Sequence, residues 1–79
     1  MNTTSLVNLI AEETGQTKAQ TEATVKAAFK IIRGSVASGK PVRLPELGTF
    51  SSRHISDTDV RVVEFSPAEA FRKEVNHRS

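Results

Sequence analysis

Two carboxylates two positions apart (Asp57, Asp59), two histidines (His54, His77) and eleven Lys and Arg are the side chains of this 79-residue sequence that could do chemistry. A close carboxylate pair can hold a cation or do acid–base work. Here the pair lies within Ser56-Asp57-Thr58-Asp59, a run of residues whose short polar side chains bond their own backbone and so make turns. No nucleophile–base pairing and no phosphate-cradling glycine loop accompanies it. The histidines form no metal-ligand cluster and there is no cysteine, so neither structural zinc nor a disulfide is expected. The sequence therefore reads as non-enzymatic, with no metal, no cofactor and no small-molecule substrate.

The cations remain. Net charge is +2 with a pI near 9.4, mildly basic. A basic surface can follow a phosphate backbone, so the distribution of the charge matters more than its sum. Residues 1–40 carry five Lys or Arg against three Glu, and residues 66–79 carry three against two. The segment between them, 41–65, holds Arg43, Arg53 and Arg61 but also Glu46, Asp57, Asp59 and Glu64. Its balance is negative.

That middle segment is the part that reads as sheet. Val42 and Leu44 alternate with Arg43, a Pro45-Glu46-Leu47-Gly48 turn follows, and Phe50, Ser52 and His54 then alternate with Thr49, Ser51 and Arg53. Past the Ser56–Asp59 turn, Val60–Phe65 is rich in β-branched and aromatic residues. The pattern predicts a three-stranded antiparallel meander in which Ile55 faces Val60, His54 faces Arg61, Ser52 faces Val63 and Phe50 faces Phe65. One face is apolar at its base (Phe50, Val63, Phe65) and basic at its tip (His54, Arg61). The other carries Arg53, Ile55, Val60, Val62 and Glu64.

Helices flank it. The first is expected from Asn2 or Thr3 to Thr14, with Leu6 and Ile10 in line, Val7 and Leu9 beside them, and Gly15 as the stop. The second begins at Lys18 behind a Thr17–Gln20 capping box and runs to about Ser38, ended by Gly39 and Pro41. It bears two adjacent apolar stripes, one of Val25, Ala28, Phe29, Ile32 and Val36, the other of Ala23, Ala27 and Ile31, and Glu22 precedes Lys26 in the favourable i,i+4 order. Ser66-Pro67-Ala68-Glu69 reads as a capping box with proline at the first helical position. It predicts a third helix from Pro67 to about Asn76, with Ala68, Phe71 and Val75 inward, Arg72 and Lys73 solvated, and a frayed His77-Arg78-Ser79 end. The fold class is α+β.

Seventy-nine residues bury only a small core, and with staples excluded, oligomerisation is left to complete it. Two stripes on one long helix call for two neighbours, the first helix and a second subunit. No apolar run reaches the length of a membrane span, and the N-terminus lacks a basic stretch followed by an apolar one, so a soluble, cytoplasmic protein with no membrane partner is expected.

The ordered set of Met1-Asn2, Leu6-Val7, Ile10-Ala11, Thr17-Lys18, Gly39-Lys40-Pro41-Val42-Arg43-Leu44, Leu47-Gly48-Thr49-Phe50, Val62-Val63-Glu64-Phe65-Ser66-Pro67 and Phe71-Arg72-Lys73-Glu74-Val75-Asn76 resembles the HU and integration host factor family of bacterial DNA-bending proteins. The resemblance spans nearly the whole chain. It implies an intertwined dimer whose two sheets form a saddle under double-stranded DNA. Residues 1–79 would be one domain, divided into a helical dimerisation part (1–39), a sheet saddle (40–65) and a C-terminal helix (66–79). The dimer interface would use Val25, Ala28, Phe29, Ile32, Val36, Leu44, Phe50, Val63 and Phe65. Phosphate contacts would come from Arg43, Gly48, Thr49, Arg53, His54, Arg61, Arg72 and Lys73, although each of these cations taken singly also reads as an ordinary solvated residue.

The sequence departs from the family pattern at three places. Family members extend the second and third strands into a long basic arm tipped by proline, whereas here Ser56–Asp59 alone joins Ile55 to Val60. Glu46 and Leu47 stand where Gly-Phe is usual, and Thr3 where lysine is common. The expectation is a nucleoid-associated protein that binds DNA weakly, without strong sequence preference and with little bending. The alternative is a dimerisation module that no longer grips DNA and pairs with a full-length relative or another protein.

Overall fold

A computed structural model of the chain describes residues 1–77. In order, α1 spans Thr3–Thr14, α2 Lys18–Ala37, β1 Val42–Leu44, β2 Gly48–His54, β3 Arg61–Pro67 and α3 Glu69–His77. Two compact units make up the chain, Met1–Ile31 and a second that begins at Ile32, so the boundary falls inside α2.

In the first unit both helix starts are capped by side chains. The Asn2 carboxamide oxygen accepts the Ser5 N–H at 2.9 Å, and the Thr17 hydroxyl accepts the Gln20 N–H at 3.1 Å. α1 stops at Gly15, whose φ of 76° lies in the left-handed region and whose N–H donates to the Ala11 carbonyl. Val7, Ala11, Thr21 and Val25 are buried. The face α1 buries is thus centred on Val7 and Ala11 rather than on the expected Leu6–Ile10 line, and Leu9 is exposed. Glu22 and Lys26 form the expected ion pair at 3.3 Å, well exposed and so of little weight for stability.

The second unit opens on the end of α2. Lys40 N–H bonds the Ser35 carbonyl at 2.9 Å, Gly39 N–H bonds the Val36 carbonyl at 3.0 Å, and Gly39 has φ of 87°. This double closure satisfies the Ser35 and Val36 carbonyls in the last turn of the helix and turns the chain toward the sheet. The sheet order is β1-β2-β3, antiparallel throughout. Its register is the expected one, with His54 opposite Arg61, Ser52 opposite Val63 and Phe50 opposite Phe65. Ile55 N–H closes the hairpin onto the Val60 carbonyl at 3.0 Å. Within the tip, Thr58 N–H and hydroxyl both bond the Ile55 carbonyl, and Asp57 takes a left-handed φ of 64°.

The end of the sheet corrects the sequence reading. β3 does not start at Val60 and stop at Phe65; it runs Arg61–Pro67, pairing Ser66 with Thr49 and Pro67 with Gly48. Ala68 N–H then bonds the Leu47 carbonyl at 3.0 Å, and Ala68, whose carbonyl accepts from Arg72 N–H, precedes the first helical residue Glu69. The ladder explains how proline is tolerated. Bonded pairs alternate from Ile55–Val60 to Leu47–Ala68, so Gly48–Pro67 falls on a pair where β3 donates nothing to β2. Two more paired residues outweigh a capping box here. α3 also extends through His77, which was expected in the frayed end, while Arg78 and Ser79 lie outside the described residues.

Candidate nucleic-acid interface

Strand alternation sorts the candidate residues onto two sides of the sheet. Arg43, Thr49, Ser51, Arg53, Val62 and Glu64 share one face, because Arg43 pairs with Thr49, Arg53 with Val62 and Ser51 with Glu64. The opposite face carries Val42, Leu44, Gly48, Phe50, Ser52 and His54 from β1 and β2, with Arg61, Val63 and Phe65 from β3. This second face backs onto the end of α2, where the Ser52 hydroxyl donates to the Val36 carbonyl at 2.8 Å.

Arg61 belongs to that contact. Its Nη1 donates to the Ser52 hydroxyl at 2.9 Å, and its guanidinium lies so close to Gly39 that a Cβ there would sit 3.1 Å from Nη2. A cation is thereby held against a helix C-terminus, where partial negative charge gathers. Arg61 ties the hairpin to α2, and Ser52, which sequence reasoning passed over as a polar strand residue, is the bridge. Arg61→Ala should lower stability by about 1 kcal/mol, the usual size of a charge-assisted bond discounted for exposure. A urea titration reads this as a lower midpoint; an unchanged midpoint would remove the tie.

The remaining candidates are placed as follows. Arg43 is exposed, and Thr49 half-buried, at neighbouring strand positions on the outer face. Arg53 is exposed and its Nε meets a Glu64 carboxylate oxygen at 3.1 Å, a diagonal cross-strand ion pair. His54 is exposed on the helix-side face at the hairpin end. Gly48 is buried, with φ of 155°. Lys73 pairs with Glu69 at 3.4 Å on the wet side of α3, and Arg72 lines a groove of about 320 Å³ with Phe65, Phe71 and Val75. The outer face thus brings together Arg43, Thr49 and Arg53 and leaves Gly48, His54 and Arg61 on the other side.

The expected interface residues divide too. Val25 and Val36 are buried within a single chain. Ile32, Leu44 and Phe50 are half-buried, and Ala28 and Phe29 are exposed. Val63 is 69% exposed and Phe65 42%, although the Phe65 ring packs at a tilt against Phe50 (centroids 4.7 Å apart) and Phe71 (6.5 Å). α3 buries none of its residues, and Phe71 and Val75, expected inward, are exposed at 36% and 58%. A groove of about 550 Å³ is lined by Ile32, Val36, Phe50, Val63, Asp59 and Arg61 among others. Among the described residues, no helix is long and apolar enough to cross a membrane.

Residues 1–76 match the model of a family described as bacterial DNA-binding protein. The chain belongs to that family. It is 40% identical over 53 residues to DNA-binding protein HU of Staphylococcus aureus, covering 67% of this chain and 59% of that protein. Against DNA-binding protein HU-alpha of Vibrio cholerae it is 38% identical over 56 residues, covering 71% and 62%. The match therefore spans about three-fifths of the length of these HU relatives. The HU fold is matched over most of the chain: Anabaena HU in a cocrystal with DNA superposes with a TM-score of 0.85 at 34% identity, covering 95% of this chain and 97% of that one. HU from Thermotoga maritima has a TM-score of 0.80 at 24% identity, with 95% and 98% covered.

Proposed function

We propose that this HU-family protein binds double-stranded DNA as a dimer, without catalysis, through phosphate contacts from the outer face of its sheet. Arg43, Thr49 and Arg53, gathered on that one face, carry the reading. The Anabaena relative's cocrystal with DNA supports it. Contacts to phosphates carry no base information, so binding is sequence-tolerant and falls steeply with salt. The hairpin closes at Ile55 and Val60 over four residues, which leaves no arm to wedge between base pairs, and bending is slight. Few contacts and no wrap make the binding weak. Its place is in the cytoplasm, associated with the nucleoid.

The second reading is a module that pairs with a full-length relative, or with another protein, and does not grip DNA. The Arg53–Glu64 ion pair and the acidic hairpin tip favour it, since both reduce the positive charge on the sheet.

Fluorescence anisotropy of a labelled duplex of about 30 base pairs, titrated from about 50 to 200 mM salt, separates the two. Affinity that falls with salt, with a shallower slope in an Arg43→Ala, Arg53→Ala double variant, supports the DNA reading. A folded dimer that binds nothing at the lowest salt sinks it and leaves the pairing module.

A further inference from the structure

We propose that Glu64 sets how many phosphates the sheet engages, because it competes with them for Arg53. The inference rests on the DNA reading above. Arg53 and Glu64 share the outer face, and the Nε–carboxylate distance of 3.1 Å is that of a formed ion pair. The pair is diagonal across β2 and β3, Glu64 lying two residues along from Val62, the direct partner of Arg53, so strand pairing holds the two side chains on one face within reach of each other. Both side chains are more than half or about half exposed (63% and 50%), so water and salt weaken the pair and a phosphate can displace the carboxylate.

Displacement has a cost beyond the lost pair. Glu64 stays on the face that the duplex approaches, and its charge repels the phosphate that replaces it. Arg43, in contrast, has no ion pair among the described residues. Of the two outer-face arginines, Arg43 is therefore available to DNA at once, and Arg53 only after Glu64 gives way. Glu64 is a positioning and charge-setting residue, not itself a contact.

The test is a double-mutant cycle of Glu64→Gln and Arg53→Ala, read by duplex anisotropy against salt. Glutamine keeps the shape and the hydrogen-bonding reach while removing the charge. In Glu64→Gln the affinity at low salt should rise about two- to fivefold per protomer, the range of an exposed ion pair. Its log–log salt slope should steepen by about 0.9 per protomer, one additional phosphate contact. Arg53→Ala alone should change the slope little, yet it should abolish the gain when combined with Glu64→Gln. Glu64→Thr, which keeps a strand-forming residue, should reproduce the steeper slope and guards against a folding artefact.

An unchanged slope in both Glu64 variants, with wild-type binding intact, overturns this proposal and leaves the DNA reading standing. An equal gain in the Arg53→Ala background also overturns it, since Glu64 would then act only through the general charge. If neither wild type nor Glu64→Gln binds at low salt, both readings fall together.

Discussion

Gly48→Ala should cost about 3–5 kcal/mol, a large part of the about 5–15 kcal/mol that holds a domain of this kind together. Gly48 is opposite Leu44 in β1 and Pro67 in β3 at once, so all three strands meet at this residue. Its φ of 155° is one that side chains rarely adopt. A Cβ built on its backbone would lie 2.5 Å from the Ser66 carbonyl oxygen and 2.7 Å from two carbons of the Phe65 ring. The ring cannot easily retreat, because the Phe50 and Phe71 rings pack against it. The carbonyl is backbone in the β2–β3 ladder and cannot retreat without breaking pairs. A drop of more than about 1 M in the urea midpoint is expected. Shrinking the ring in a Gly48→Ala, Phe65→Leu double variant should recover only part of the loss, since the carbonyl contact and the backbone angle remain. A midpoint near that of the wild type would mean that β2 can shift at this position.

Gly48 also shows how far the sequence alone could go. The strand register was legible because the turn cluster at Ser56–Asp59 fixes which residues close the hairpin, and period-two alternation then determines every later pair. Gly15 and Gly39 marked helix ends for the physical reason that they sit at left-handed φ. The start of α3 was misread because Ser66-Pro67-Ala68-Glu69 satisfies two local patterns. As a free segment it caps a helix; beside Thr49 and Gly48 it finishes a strand, and non-local pairing decides between them.

The candidate site was less legible. Alternation placed Arg53 and Glu64 on one face, and the diagonal spacing that joins them was already implied by the register. The tie from Arg61 through Ser52 to Val36 was not implied, because it depends on where the end of α2 lies relative to β2. Exposure of Phe71 and Val75 could not be read either. An amphipathic helix announces that it has an apolar face, but not whether its own chain or another covers it.

Val63→Asp should abolish self-association. Val63 is 69% exposed in the single chain, yet it shares a sheet face with Phe50 and Phe65 and itself lines the groove together with Ile32, Val36 and Phe50. An isolated chain would barely notice a carboxylate there, losing at most about 1 kcal/mol of strand preference. A second subunit seated over that groove would take the same carboxylate out of water beside Ile32, Val36 and Phe50, and of the groove's two arginines Arg61 is already bonded to Ser52, so the expected cost is several kcal/mol (about 3–5 where a buried charge is left unmatched). Sedimentation equilibrium should find wild type as a dimer whose melting temperature rises with concentration, because association stabilises only the folded chain. Val63→Asp should sediment as a monomer and melt independently of concentration, or fail to fold. Val60→Asp provides the control: Val60 is 56% exposed beside the hairpin tip, outside the groove lining, and its variant should remain a dimer. A dimeric Val63→Asp would place the interface elsewhere on the chain. A monomeric wild type would leave Val63, Phe65 and Val75 as open apolar surface, a state that small proteins rarely tolerate over so much of one side.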